Sequence, residues 1–153
     1  MGDHVKIAVL SKSELAGTQY IEFVRGRYST AVWGDESLYL EESIIGFLEG
    51  TIVKVFPRYD HFQFQFLDVP VAAALGTELL SLAATLEKTD DPSFVLDALA
   101  QGGDGIRANA VLAAETAGGS KNAVLDLALV AGQLGRWFQE AARSAGGASI
   151  LGM

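Results

Sequence analysis

Pro57-Arg58-Tyr59-Asp60-His61-Phe62-Gln63-Phe64-Gln65-Phe66 is the middle of a longer stretch, Ser43–Thr89, that reads as helix, strand, helix. From His61 onward apolar and polar residues alternate strictly. Such alternation predicts a half-buried strand with Phe62, Phe64 and Phe66 on the core side and His61, Gln63 and Gln65 on the other. Before it, Ile44, Ile45, Leu48, Ile52 and Val55 recur at the spacing of one helical face, Ser43 offers a cap and Pro57 follows. That pattern predicts a helix over 43–56. After it, Asp68-Val69-Pro70 places a cap and a proline at the mouth of an Ala- and Leu-rich run. The run predicts a helix over Val69–Lys88, with Val71, Leu75, Leu79, Leu82 and Leu86 as its stripe.

Toward the N-terminus, Val5, Ile7 and Val9 alternate with Lys6 and Ala8, predicting a strand over Val5–Ser11. Ser11-Lys12-Ser13-Glu14 matches a capping box, although Gly17 would soon interrupt any helix begun there. Residues 19–33 suit either part of a helix or a hairpin. The turn-like Arg25-Gly26-Arg27 and the side shared by Tyr28, Thr30 and Val32 favour the hairpin. Ser37–Leu40 reads as a further short strand, giving a three- or four-stranded meander continued by Phe62–Phe66. Toward the C-terminus the reading is helical: Pro92–Gln101, Ile106–Ala117 and Lys121–Ser144, separated by Gly102-Gly103-Asp104-Gly105 and Gly118-Gly119. Residues 145–153 read as a Gly-rich, frayed tail. The expected fold class is α+β: an N-terminal antiparallel sheet packed against helices and an all-helical C-terminal half, in one domain over 1–153.

At 153 residues, half of them hydrophobic and a fifth charged, the chain can bury a single core. It has no cysteine, so it has neither a disulfide framework nor a thiolate metal site. Met1-Gly2-Asp3-His4 lacks the basic region of a signal peptide, and no charge-free apolar run reaches about 18 residues. A cytosolic protein without a membrane span is the expectation. The net charge of −8 argues against nucleic acid as a partner and for a basic protein. Between Arg27 and Lys54 there is no basic residue, while Asp35, Glu36, Glu41, Glu42 and Glu49 all fall there. This set reads either as a solvated face or as a docking surface for a cationic protein.

Catalytic and cofactor motifs are missing. G-x-S-x-G, S-x-x-K, H-E-x-x-H, the P-loop and G-x-G-x-x-G do not occur. Asp104 inside Gly102-Gly103-Asp104-Gly105 would repel an anion, and Asp90-Asp91 lacks the spaced ligands of a calcium loop. No metal, no cofactor and no enzymatic activity are therefore expected. The competing class is a small-molecule binder or enzyme whose groove is formed by His61, Gln63 and Gln65 against a helix. A third expectation, compatible with either, is a homo-oligomer through the last helix, which is apolar around most of its circumference.

Trp33, the acidic turn after it, Leu38-Tyr39-Leu40-Glu41-Glu42, the amphipathic Ile44–Val55 and then Phe56-Pro57-Arg58-Tyr59-Asp60-His61-Phe62 together resemble small immunity proteins of bacterial polymorphic toxin systems. The likeness covers residues 33–66 and not the helical half. It implies a non-enzymatic, cytosolic inhibitor that neutralises a toxin domain by charge and shape.

Overall fold

Four antiparallel strands form one sheet in the order β2-β1-β4-β3: β1 is Tyr20–Arg25, β2 Leu38–Glu41, β3 Phe64–Leu67 and β4 Ala148–Leu151. The structure, a computed structural model, describes residues 7–16, 19–28, 36–101 and 118–152. Five helices among these residues complete the α+β arrangement: α1 (Glu42–Ile45), α2 (Glu49–Val55), α3 (Val69–Glu87), α4 (Pro92–Gln101) and α5 (Ser120–Ser144). The expected helix Ile106–Ala117, the glycine break before it and Trp33 lie outside the described residues.

The expected C-terminal tail is a central strand. β4 is buried along its whole length and pairs with β1 on one side (Phe23 opposite Ile150) and β3 on the other (Gln65 opposite Ile150). This also replaces the meander. β1 has β2 and β4 on its two flanks, and the second half of the expected hairpin, beyond Tyr28, lies outside the described residues. Of the strand expected over Val5–Ser11, the described part makes a single bridge, Leu10 to Tyr39, on the outer edge of β2. The helix expected over 43–56 is two short ones. Phe47 and Leu48 donate three residues back, to Ile44 and Ile45, so the chain tightens between α1 and α2 while Ile44, Ile45, Leu48 and Ile52 stay buried.

The inner face of the sheet carries Ile21, Phe23, Leu40, Leu67, Ala148 and Ile150 into the main core. There Phe23 meets Trp137 and Phe138 of α5 edge-on, at 6.3 and 5.9 Å between ring centres. Those two aromatics are therefore core residues. On the outer face a smaller cluster of Leu10, Tyr20 and Tyr39 is covered by the N-terminal segment.

α3 and α5 form the main helical pair. They cross where Gly76 faces Gly135: a Cβ on Gly76 would lie 2.7 Å from the Gly135 carbonyl oxygen, and one on Gly135 2.9 Å from that of Gly76. Any larger residue at either position would push the helices apart. Over an 18-residue window α3 has a mean hydropathy of 1.6, enough by length and composition to cross a membrane, and it carries Glu78 near its middle. In this structure it packs against α5 and α2. Leu125 and Leu129 of α5 and Phe94 of α4 remain exposed.

Candidate functional site

The Phe62–Phe66 stretch alternates as expected but faces the opposite way. Register decides this, since a shift of one residue flips every side chain. β4 sets the register: Leu67 pairs with Ala148 and Gln65 with Ile150, and Ala148 and Ile150 both face the helices. Leu67 and Gln65 therefore point inward and Phe64 and Phe66 outward. His61, in the turn before β3, is buried as well, at 3 % exposure, whereas Phe62 is 57 % exposed. His61, Gln63 and Gln65 thus do not form a solvent-facing groove: His61 and Gln65 are inside and only Gln63 is exposed.

Burying these polar groups requires partners, and the turn supplies them. The Gln65 amide accepts from the Asp60 backbone N–H (2.6 Å) and donates to the Asp60 and Gln63 carbonyls (2.9 Å each). The Asp60 carboxylate accepts from the Phe62 N–H at 2.9 Å. Gly152, just past β4, donates to the Gln63 carbonyl at 2.9 Å and runs so close to His61 that a Cβ there would overlap the His61 carbonyl. Together these contacts hold the His61 ring under α1 and α2.

The ring lies between two glutamates. Glu49, the first residue of α2, is fully buried, and its Oε2 accepts from the Tyr59 hydroxyl at 2.8 Å. His61 Nδ1 is 2.6 Å from the same oxygen. With Glu49 ionised, Nδ1 carries the hydrogen, as in the carboxylate–imidazole pairs that fix a tautomer. His61 Nε2 is buried without a hydrogen-bond partner, and facing it at 3.5 Å is Oε2 of Glu42, the first residue of α1. The Glu42 side chain is 16 % exposed and links the cluster to solvent. An imidazole oriented by a carboxylate through Nδ1 is the arrangement that serves general bases elsewhere. Here, however, Nε2 points at a second carboxylate.

The acidic set is therefore split. Glu49 belongs to the interior and offers nothing to a docking surface. Glu36 is exposed, Glu41 and Glu42 are half-buried, and Asp35 lies outside the described residues. Sequence reasoning missed the cluster, yet one signal was available. Glu49 stands four residues after Ile45 and three before Ile52, on the apolar stripe, where a carboxylate needs buried donors.

A second buried carboxylate, also missed, lies on the outer face of β1. Glu22 Oε2 accepts from the Ser37 hydroxyl at 2.6 Å, and the Tyr39 hydroxyl lies 3.4 Å away. Among the described residues no group of three or more histidine, cysteine or acidic side chains is arranged to hold a metal ion.

The outward phenylalanines form a surface of their own. Phe62 packs edge-on against the His61 ring (4.8 Å), and Tyr28, 40 % exposed, packs edge-on against Phe64, 37 % exposed (5.7 Å). The His61 ring beneath Phe62 has Glu42 on its other side, 3.5 Å from Nε2. Comparison of the chain with protein-family models, curated proteins and solved structures gives no match.

Proposed function

We propose that this protein is a non-enzymatic, cytosolic binding module for a basic protein, and that its contact surface centres on Tyr28, Phe62 and Phe64 with Glu42 at the border. The observation that carries this reading is the outward placement of Phe62 and Phe64, while neighbouring polar residues are buried at the expense of dedicated hydrogen bonds. Aromatic rings exposed together on a folded surface suit partner recognition. Ring faces beside a carboxylate favour arginine and lysine, and a net charge of −8 steers a cationic partner toward the molecule. Neutralisation of a toxin domain is the specific form of this activity that the resemblance over residues 33–66 suggests.

The test compares tagged wild type with a Phe62→Ser/Phe64→Ser variant in capture from host lysate, eluted by a salt gradient. A basic polypeptide held by the wild type, released as salt rises and lost with the variant supports the reading. If that polypeptide is toxic when expressed alone and harmless when co-expressed, it is the immunity target. Equal retention by both proteins would remove the aromatic surface from the interface.

A further inference from the structure

On the far side of α2 from His61, a cleft of about 360 Å³ opens between α2, α3 and α4. Two stripes of identical spacing wall it. Phe47, Gly50, Thr51 and Lys54 come from α2 and the turn before it; Glu78, Ser81, Leu82 and Thr85 come from α3. Both follow i, i+3, i+4, i+7, the rows that stack on one side of a helix. Leu99 of α4 closes the third side. Such a volume lies within the range of small-molecule sites, about 300–1,000 Å³.

We propose that this cleft binds a small apolar α-amino acid as its zwitterion, a site separate from the protein-binding surface proposed above. Leu82 and Leu99, both partly exposed, offer an apolar bed for the side chain over the buried Phe47. At the polar side, Lys54 Nζ and Glu78 Oε1 pair at 3.0 Å and present opposite charges side by side. An ammonium has three donors and a carboxylate two oxygens. Lys54 therefore retains N–H groups for a ligand carboxylate, and Glu78 retains Oε2 for a ligand ammonium. Opening so exposed an ion pair costs little. A ligand carrying only one charge satisfies half of the site, and a ligand without an apolar side chain leaves the bed unfilled.

Gly50 lines the cleft from α2. It is the second residue of α2, where most residues form a helix more readily than glycine does. A long apolar side chain there would fill the cleft without loss of helix propensity.

The experiment is thermal unfolding of the full chain with phenylalanine, leucine, 3-phenylpropionate and phenethylamine. At tenfold above Kd, phenylalanine or leucine should raise Tm by roughly 4 °C, and each singly charged analogue by less than a third of that. Gly50→Met should retain the unliganded Tm and lose the response, and Lys54→Met, at a position that is 68 % exposed, should lose it too. The absence of a rise with both amino acids would overturn the proposal. So would an equal rise with the half-charged analogues, or a rise that survives in Lys54→Met and, where it folds, in Gly50→Met.

Discussion

Glu22, on the outer face of β1, and Glu49, at the start of α2, are both inaccessible glutamates with a tyrosine nearby, but they differ in the second donor. Glu22 has the Ser37 hydroxyl, a neutral donor that can rotate to suit. Glu49 has His61, a ring with a second nitrogen that also needs a partner and faces another carboxylate. The Glu22 group ties β2 to β1. The Glu49 group ties the turn before β3 to both short helices, and so sets how the Phe62 and Phe64 surface is presented. The Glu49 network joins three elements.

The largest expected difference follows from deleting each carboxylate. Glu49→Ala removes the buried carboxylate that accepts from both the Tyr59 hydroxyl and His61 Nδ1–H, at a cost of about 3–4 kcal/mol. Glu22→Ala leaves hydroxyls that can turn elsewhere, at about 2 kcal/mol. Urea unfolding of both variants measures the gap. Equal losses would break the distinction between the two networks.

Single donors come next. Tyr59→Phe removes one hydrogen bond to a charged, fully buried oxygen and should cost about 2 kcal/mol. Ser37→Ala should cost about 1 kcal/mol, because its hydroxyl lies at the sheet margin. A larger loss in Ser37→Ala would show that Glu22 is the more demanding site.

Glu42→Gln has the opposite expected sign. If His61 is neutral with its hydrogen on Nδ1, then Nε2 and the Glu42 carboxylate are two acceptors facing each other at 3.5 Å. The amide of glutamine brings a donor and should stabilise the fold by about 0.5–1 kcal/mol. Destabilisation by a similar amount would instead show a doubly protonated ring paired with both glutamates. Nitrogen NMR of the two ring positions gives the same answer independently.

How much of this could be read from the sequence depended on the range of the interactions. α3, α4 and α5 begin and end within one residue of their expected limits, because their stripes, prolines and glycines are local signals repeated over many turns. β4 was not legible. Four residues, Ala148-Ser149-Ile150-Leu151, between glycines look like a tail, and their pairing with Glu22–Arg25 spans more than a hundred positions. The inward side of β3 was lost with it: alternation reveals two faces, but only the β4 register says which is buried. The cluster shared that fate. His61 and Gln65 look solvent-facing until Leu67 is placed in the core, and Glu49 looks like one more surface acid until its place on the Ile45–Ile52 stripe is counted.

The smallest expected effect on stability is the one that bears most directly on function. Phe62→Ser removes a ring that is 57 % exposed, and its one described ring contact is the edge of His61. Surface changes away from buried networks shift stability within about 0.5 kcal/mol, so the variant should unfold at nearly the wild-type urea concentration. Partner capture should still fall at least tenfold if the ring is a central anchor of the interface. Loss of capture with unchanged stability would separate the Phe62 surface from the Glu49 network that positions it. A drop in stability comparable to Tyr59→Phe would mean that the ring also shields His61, making surface and network one unit.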